Sequence, residues 1–213
     1  MKLREQMEKG LLFTEHGHSD PEDIAYEQEL SEQRKHCKEV LFDYNNTRPS
    51  DYVTKDKLLR GLLGDMGERV FFESPVHMAY GSNVHVGTRV YANFNLVIVD
   101  DIDVYIGDRV MFGPSVTISA TGHPVYPEYR FRGAHFSLPV RIGTGSWIGA
   151  NTTILPGVSI GENVVIGAGS VVTKDIPNNC LAMGVPCKVI REIGEQEKKY
   201  YHKNMEVNHD FDK

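Results

Sequence analysis

IGTGSW, IGANTT, ILPGVS, IGENVV, IGAGSV and VTKDIP stand end to end over residues 142–177. An aliphatic residue opens each hexapeptide, at Ile142, Ile148, Ile154, Ile160, Ile166 and Val172, and Gly follows the first, second, fourth and fifth of them. A helix repeats its apolar positions every three or four residues and a half-buried strand every two, so a sustained period of six belongs to neither; it marks a β-solenoid. Each side of a coil is a short strand that turns one aliphatic side chain inward. The small residue after it stands at the corner, where positive φ or close backbone approach penalises a larger one. Stacked coils pair their strands in parallel around a narrow core and stabilise one another mainly as neighbours. Their open ends and flat faces call for capping helices and self-association.

The period also runs upstream. Val86-Gly87, Ala92-Asn93 and Ile98-Val99 are six apart, and Ile106-Gly107, Phe112-Gly113 and Ile118 resume the spacing after a slip of two residues between Asp100 and Val104. The phase then fails over residues 119–138, SATGHPVYPEYRFRGAHFSL, and returns at Ile142. This reads as a loop thrown out of a regular solenoid, the kind of segment in which function concentrates. The solenoid is expected over residues 69–191. Residues 1–68 read as a helical cap. Met7, Leu11 and Leu12 mark a short first helix. Asp20 caps a second that starts at Pro21 and carries Ile24, Leu30, Cys37, Leu41 and Tyr44 as one apolar stripe, ending at Asn45, Asn46 and Arg48-Pro49. A third helix is expected near 54–65, on Leu58, Leu59, Leu62 and Leu63. Residues 192–213 read as a partly helical C-terminal tail.

The chain of 213 residues suffices for one well-buried core with modest appendages. Its 23 Lys and Arg against 29 Asp and Glu leave a formal charge of −6, which argues against a general binder of nucleic acid or anionic membrane. Cys37, Cys180 and Cys187 form no CxxC pair and too sparse a set for a disulfide framework or zinc site, as expected in a reducing cytoplasm. MKLREQMEKGLLF at the N-terminus does not read as a signal peptide, and no stretch approaches the ~18 apolar residues of a membrane span.

Together with the hexapeptides, the phrases YANFN at 91–95, IVDD at 98–101 and TGHP at 121–124 resemble the sugar O-acetyltransferases of the hexapeptide acyltransferase superfamily, the galactoside acetyltransferases most, then the maltose and nodulation acetyltransferases. The resemblance runs from the N-terminal helices to about Tyr201. It implies a mainly β fold, a left-handed parallel β-helix with N-terminal helices and an extruded loop. It also implies a homotrimer with sites between subunits, acetyl-CoA as donor and a sugar hydroxyl as acceptor. No metal, nucleic acid or membrane is expected.

Moving an acyl group from a thioester to a hydroxyl requires a base, and an imidazole titrates near neutrality. By its place in TGHP, His123 is the expected base, while His135 is expected to wall the acceptor pocket. His16, His18, His202 and His209 are expected to be solvated. The resemblance gives the oxyanion donor as the Ala150 N–H, and Asn93 as the asparagine that supports the transition state and touches the donor. Asp101 matches the aspartate that binds acceptor hydroxyls; Asp is also a common corner residue. Glu15 stands where relatives carry Asp, keeping the carboxylate on a longer arm, and Ala79 stands where they carry a Ser that contacts substrate, losing a hydroxyl. Ala150, Ala168 and Thr173 would border the pantetheine arm. Lys174, Lys188 and Arg191 would meet the phosphates, with Lys188 replacing an arginine and losing its bidentate fork. Trp147 could line the acceptor or pantetheine channel, or a subunit contact.

The expected function is thus acetyl transfer to a galactoside or related sugar, directly within a ternary complex. A maltose- or glucose-type acceptor and a non-catalytic solenoid binding module are the alternatives. A cysteine nucleophile finds none of the three cysteines in the loop, and a zinc-dependent relative needs three histidine ligands that His77, His85 and His123 do not group to supply.

Overall fold

A computed structural model describes residues 1–208; His209 lies outside the described residues. Helix α1 spans Leu3–Glu8, earlier than expected: Leu11 and Leu12 follow it and are exposed, while Leu3 and Met7 are buried with Phe13, Leu30 and Tyr80 in a small satellite core. Helix α2 spans Pro21–Asn46, and Asp20 caps it through Oδ1, accepting from the N–H groups of Glu22 (3.0 Å) and Asp23 (3.4 Å). Its stripe of Leu30, Cys37, Leu41 and Tyr44 is buried, with Ile24 half-buried. Helix α3 spans Tyr52–Leu62, starting earlier than the leucines indicate because the Asp51 carboxylate accepts from the Thr54 N–H at 3.1 Å.

Three parallel sheets form the walls of a prism. The first face stacks Asp65–Met66, Val84–Val86, Val104–Ile106, Val140–Ile142 and Ser159–Ile160. The second stacks Phe71–Phe72, Tyr91–Ala92, Met111–Phe112, Trp147–Ile148, Val165–Ile166 and Cys180–Gly184, closed by the antiparallel strand Cys187–Glu192. The third stacks Val76–Met78, Leu96–Val99, Thr117–Ser119, Thr153–Ile154 and Val171–Val172. Strand pairing therefore begins at Asp65, inside the stretch read as the helical cap. Ile142, Ile148, Ile154, Ile160, Ile166 and Val172 are all buried in one continuous core.

Coil length explains the two breaks in period. Partners step from Met66 to Val86 to Ile106, twenty residues each, then from Ile106 to Ile142, thirty-six, and from Ile142 to Ile160, eighteen. Three hexapeptides make eighteen. The upper two coils thus each carry two extra residues at the corner between the third and first faces, and the next coil carries eighteen extra at that same corner, which are the loop.

The corner glycines work by close approach. A Cβ on Gly113 would lie 2.6 Å from the Ala150 nitrogen, and one on Gly149 would lie 2.6 Å from the Ala168 nitrogen. Positive φ falls two residues later, on Ser115, Asn151 and Gly169. Of the two reasons the sequence offers for these glycines, the spacing between coils is the operative one.

Candidate active site

The extruded loop is a small hairpin. Thr121 pairs with Ser137 and Gly122 with Phe136, antiparallel, and helix α4 (Pro127–Phe131) lies between the strands. His123 follows the first strand and His135 precedes the second, so the hairpin brings them together, with ring centroids 4.4 Å apart at 46°. His123 Nδ1 donates to the Ala134 carbonyl at 2.9 Å, which leaves Nε2 with the lone pair in the neutral ring. His135 is held from behind by Phe13. The two backbones exchange both hydrogen bonds (3.0 and 2.8 Å), and the rings lie 5.7 Å apart at 19°. Burial holds the His135 imidazole below its ordinary range, with the Glu15 carboxylate opposing the shift and His123 adding to it.

Beside this pair lies an ionic cluster. Arg34, from α2, donates to Glu15 through both terminal nitrogens (3.1 and 2.6 Å), to the Tyr80 hydroxyl at 2.5 Å and to Asp101 at 3.4 Å. Its guanidinium carbon also sits 4.9 Å from the centroid of the Tyr80 ring. Burial raises the Glu15 carboxyl, but the bonded Arg34 outweighs it and leaves Glu15 below the usual carboxylate range. Asp101 moves the other way: burial lifts it, a hydrogen bond from Thr121 opposes, and the neighbouring Glu15 adds to the rise. Two adjacent carboxylates thus share one guanidinium, one firmly ionised and one closer to protonation. Neighbouring Asp100 is fully buried and accepts the N–H groups of Ala79 (2.8 Å), Tyr80 (3.0 Å) and Gly81 (2.6 Å); burial pushes its carboxyl up to about 6. That bond set fixes the turn carrying Ala79 and Tyr80.

Arg34 and Tyr80 escape a reading of the sequence as packing stripes. The signal was there: Arg34 falls four residues after Leu30 and three before Cys37, a charge in phase with the buried face. His18, read as solvated, is half-buried, and both its N–H and Nδ1 meet the Glu27 carboxylate. His16 and His202 are exposed.

The remaining expected residues lie elsewhere on the prism. Ala150 and Ala168 stack at the corner between the second and third faces, across the third face from the loop, and Asn93 lies at the same corner in register with Gly149. The Asn93 side chain accepts the Phe94 N–H at 2.9 Å. Gly149 and Asn151 donate their N–H groups to Ile166 (2.8 Å) and Pro114 (2.9 Å), whereas the Ala150 and Ala168 N–H groups make no hydrogen bond among the described residues. Elsewhere, at the corner between the first and second faces, side chains cap such groups: Asp108 accepts from Thr88 at 2.7 Å, and Asn178 from Glu162 at 2.9 Å. The residues stacked on them in the next coil, Ala168 over Ala150 and Gly184 over Ala168, have no such acceptor to offer, so these two donors stay open. Thr173 and Lys174 follow the last third-face strand, on the loop's corner, and are exposed. Lys188 is exposed, and Arg191 is ion-paired with Glu197. Trp147 is 49% exposed on the outer second face, in a row with Phe71, Tyr91, Met111, Val165 and Leu181. One chain therefore unites His123, His135, Glu15, Ala79 and Asp101, and leaves Asn93 and the open N–H groups at another corner. Among the described residues no three His, Cys, Asp or Glu side chains group to hold a metal ion, and no helix is long and apolar enough to cross a membrane.

A solenoid of hexapeptides with a histidine in its extruded loop defines the class of hexapeptide-repeat transferases, and the family model "Bacterial transferase hexapeptide (six repeats)" matches residues 139–174. A second model, "Maltose acetyltransferase hexapeptide capping motif", matches residues 24–67. The chain is 46% identical to the galactoside O-acetyltransferase of Escherichia coli (strain K12) over 97% of each chain. A solved structure of a galactoside acetyltransferase in complex with coenzyme A superposes with a TM-score of 0.90 at 45% identity, covering 98% of this chain and 99% of that one. A maltose O-acetyltransferase from Clostridium difficile 630 gives 0.83 at 39%, covering 92% and 99%. The chain belongs to the hexapeptide-repeat sugar O-acetyltransferase family, of galactoside and maltose type, and its solenoid is the family's left-handed β-helix.

Proposed function

We propose that this protein is an acetyl-CoA-dependent O-acetyltransferase of the cytoplasm that acts on a hydroxyl of a galactoside or related sugar. The observation that carries the reading is His123, whose Nδ1 is committed to the Ala134 carbonyl so that Nε2 faces outward as a base. Nε2 takes the proton of the acceptor hydroxyl as its oxygen attacks the thioester carbonyl. The C–S bond then breaks, the acetyl group stays on the sugar oxygen, and the imidazolium returns its proton to the departing CoA thiolate. No acetyl-enzyme forms. Asp101 and Glu15, oriented by Arg34, accept hydrogen bonds from the sugar's other hydroxyls. Ala79 offers no hydroxyl of its own, and the longer Glu15 reaches further than an aspartate, so a maltose-type acceptor is the second reading.

The oxyanion needs a donor free of other commitments, which the Ala150 N–H is, with Asn93 at the same corner. Since that corner and His123 lie on opposite edges of the third face, the complete site joins one chain's loop to its neighbour's corner. One observation besides this separation supports a homotrimer built this way. The outer second face carries the apolar row of Phe71, Tyr91, Met111, Trp147, Val165 and Leu181, next to the open corner. Pantetheine would run past Ala150 and Ala168 with Trp147 alongside, while Thr173 would come from the chain that supplies the loop, and Lys174, Lys188 and Arg191 would face the phosphates.

Thiol release from acetyl-CoA, measured against galactosides, maltose, glucose and glucosamine derivatives, identifies the acceptor. His123→Ala should lower kcat by roughly two to four orders of magnitude, the scale of lost general-base catalysis. Near-normal turnover in that variant would overturn the mechanism.

A further inference from the structure

We infer that His135 is a positioning residue for the base: it holds the His123 imidazole in the plane that points Nε2 out of the loop. The inference rests on the reading of His123 as the base, and it gives His135 a task different from lining the acceptor pocket.

Among the described residues, the bond from Nδ1 to Ala134 is the one hydrogen bond on the His123 ring, and at an exposed side chain it opens to water whenever the ring swings out of its plane, freeing the tautomer. His123 is itself exposed, so the core does not constrain it. The second constraint is the His135 ring, 4.4 Å away and tilted at 46°. A wall is useful only if it is rigid, and His135 is fixed twice. Its backbone is locked to Phe13 by a reciprocal pair of hydrogen bonds, and its ring lies parallel to the Phe13 ring, 5.7 Å away. Phe13 is buried in the satellite core with Leu3, Met7, Leu30 and Tyr80. The orientation of the base is thus tied through His135 to the N-terminal cap.

The charge state of the wall also matters. During transfer His123 becomes an imidazolium, and a protonated ring at this separation would repel it. His135 is half-buried, and its burial and its nearness to His123 favour the neutral form. Of the charged groups acting on it, Glu15 and Asp101 favour the proton and Arg34 opposes it. Glu15 is bonded to Arg34, which tempers its pull on His135. A neutral aromatic face leaves the cation on His123 undisturbed.

The test uses the full-length protein and the variants His135→Ala, His135→Phe and His123→Ala. Histidine side-chain ¹⁵N NMR, with the His123 resonance assigned by its loss in His123→Ala, reads the tautomer directly. Wild type and His135→Phe should show a single Nδ1–H form, and His135→Ala should show an averaged pair of tautomers. With acetyl-CoA and the best acceptor of the screen, His135→Ala should lower kcat about 10- to 100-fold, the cost of a catalytic group displaced by about an ångström, without moving the acetyl-CoA KM. His135→Phe keeps the wall and should restore most of that loss. An unchanged His123 tautomer in His135→Ala, or an effect confined to the acceptor KM, would overturn the inference and return His135 to the pocket wall. If His123→Ala retains wild-type turnover, the base reading fails, and the tautomer measurement still decides whether His135 positions that ring.

Discussion

Replacing Arg34 with Met removes the cation that Glu15 and Asp101 share. In the wild type its guanidinium makes two hydrogen bonds to Glu15, one to Tyr80 and a longer one to Asp101. Breaking a fully buried ion pair from one side costs about 3–5 kcal/mol. Here Arg34 retains 32% side-chain exposure while Glu15 and Asp101 retain 12% and 7%. Solvent screening on the arginine side reduces the expected cost to about 2–3 kcal/mol. For a chain of this size that is a fall in Tm of about 5–10 °C.

The sign of the pH dependence follows from the shifts. Glu15 lies below the usual carboxylate range in the folded wild type, so its contribution is present at neutral pH and is lost as pH falls through its folded value. In Arg34→Met both carboxylates are buried side by side without a cation. Their folded values rise above the unfolded ones, and protonation relieves the strain. The gap between wild type and variant should therefore be widest near pH 7 and close toward pH 4. Thermal melts across that range measure it, and Michaelis kinetics should show the acceptor KM rising while the acetyl-CoA KM stays put. Arg34→Lys should rescue little, since one ammonium cannot hold both Glu15 oxygens, Tyr80 and Asp101 together. A gap independent of pH, or a fully active lysine variant, would refute the shared-cation reasoning.

His85 bonds Asp65 through Nδ1 (2.7 Å) and Asp103 through Nε2 (3.1 Å), so both nitrogens carry protons; burial lowers the ring but the two carboxylates outweigh it, and its stabilisation is lost as pH rises through the raised folded value. His85→Gln should thus cost most stability near pH 6 and little near pH 9, read from paired melting curves; an equal cost at both would dismiss the ion pair. Asp100→Asn turns an amide NH₂ toward N–H groups that the carboxylate now satisfies, and should destabilise the protein by about 1–3 kcal/mol in denaturant titration. Trp147→Glu puts a charge in the middle of the second-face row; light scattering should report a trimer for the wild type and single chains of 24.0 kDa for this variant, and an equal mass for the two would remove that face from the interface.

Periodicity made the solenoid legible because an aliphatic residue at every sixth position gives each side of a coil one inward side chain, and those from Ile142 to Val172 are all buried. That three sides close each coil is seen in the strand pairing, not in the spacing. The loop showed itself as the place where that constraint lapses. Less legible were contacts between segments far apart in the chain. His123 could be singled out, but not the Ala134 carbonyl that sets its tautomer, because the return of the hairpin at Phe136 leaves no period. Arg34 lay within a stripe that otherwise predicts packing, and its partners Glu15, Tyr80 and Asp101 come from an N-terminal arm and two corners. The glycines were placed correctly at corners, but spacing alone cannot tell a residue that needs positive φ from one that needs room; the distance from Gly113 to the Ala150 nitrogen can.

The same regularity that makes the fold easy to read makes a site hard to build on one copy of it. A flat wall of parallel strands satisfies its own backbone and presents only a ladder of side chains, so reactive groups must come from corners, where the ladder is interrupted. Adjacent corners of the prism are separated by a full face. The corner between the third and first faces holds His123 and Asp101, to which the N-terminal arm brings Glu15 and α2 brings Arg34; the next corner leaves N–H groups uncommitted, because the residues stacked over Ala150 and Ala168 carry no side-chain acceptor. Neither set can reach the other within a chain whose core is already close-packed. In the trimer we propose, a second copy would close that gap with no new fold, through the exposed apolar face beside the open corner. The extra residues that break the period all fall at the corner between the third and first faces, so the chain adds residues at one edge while the face beside the other corner keeps its apolar row.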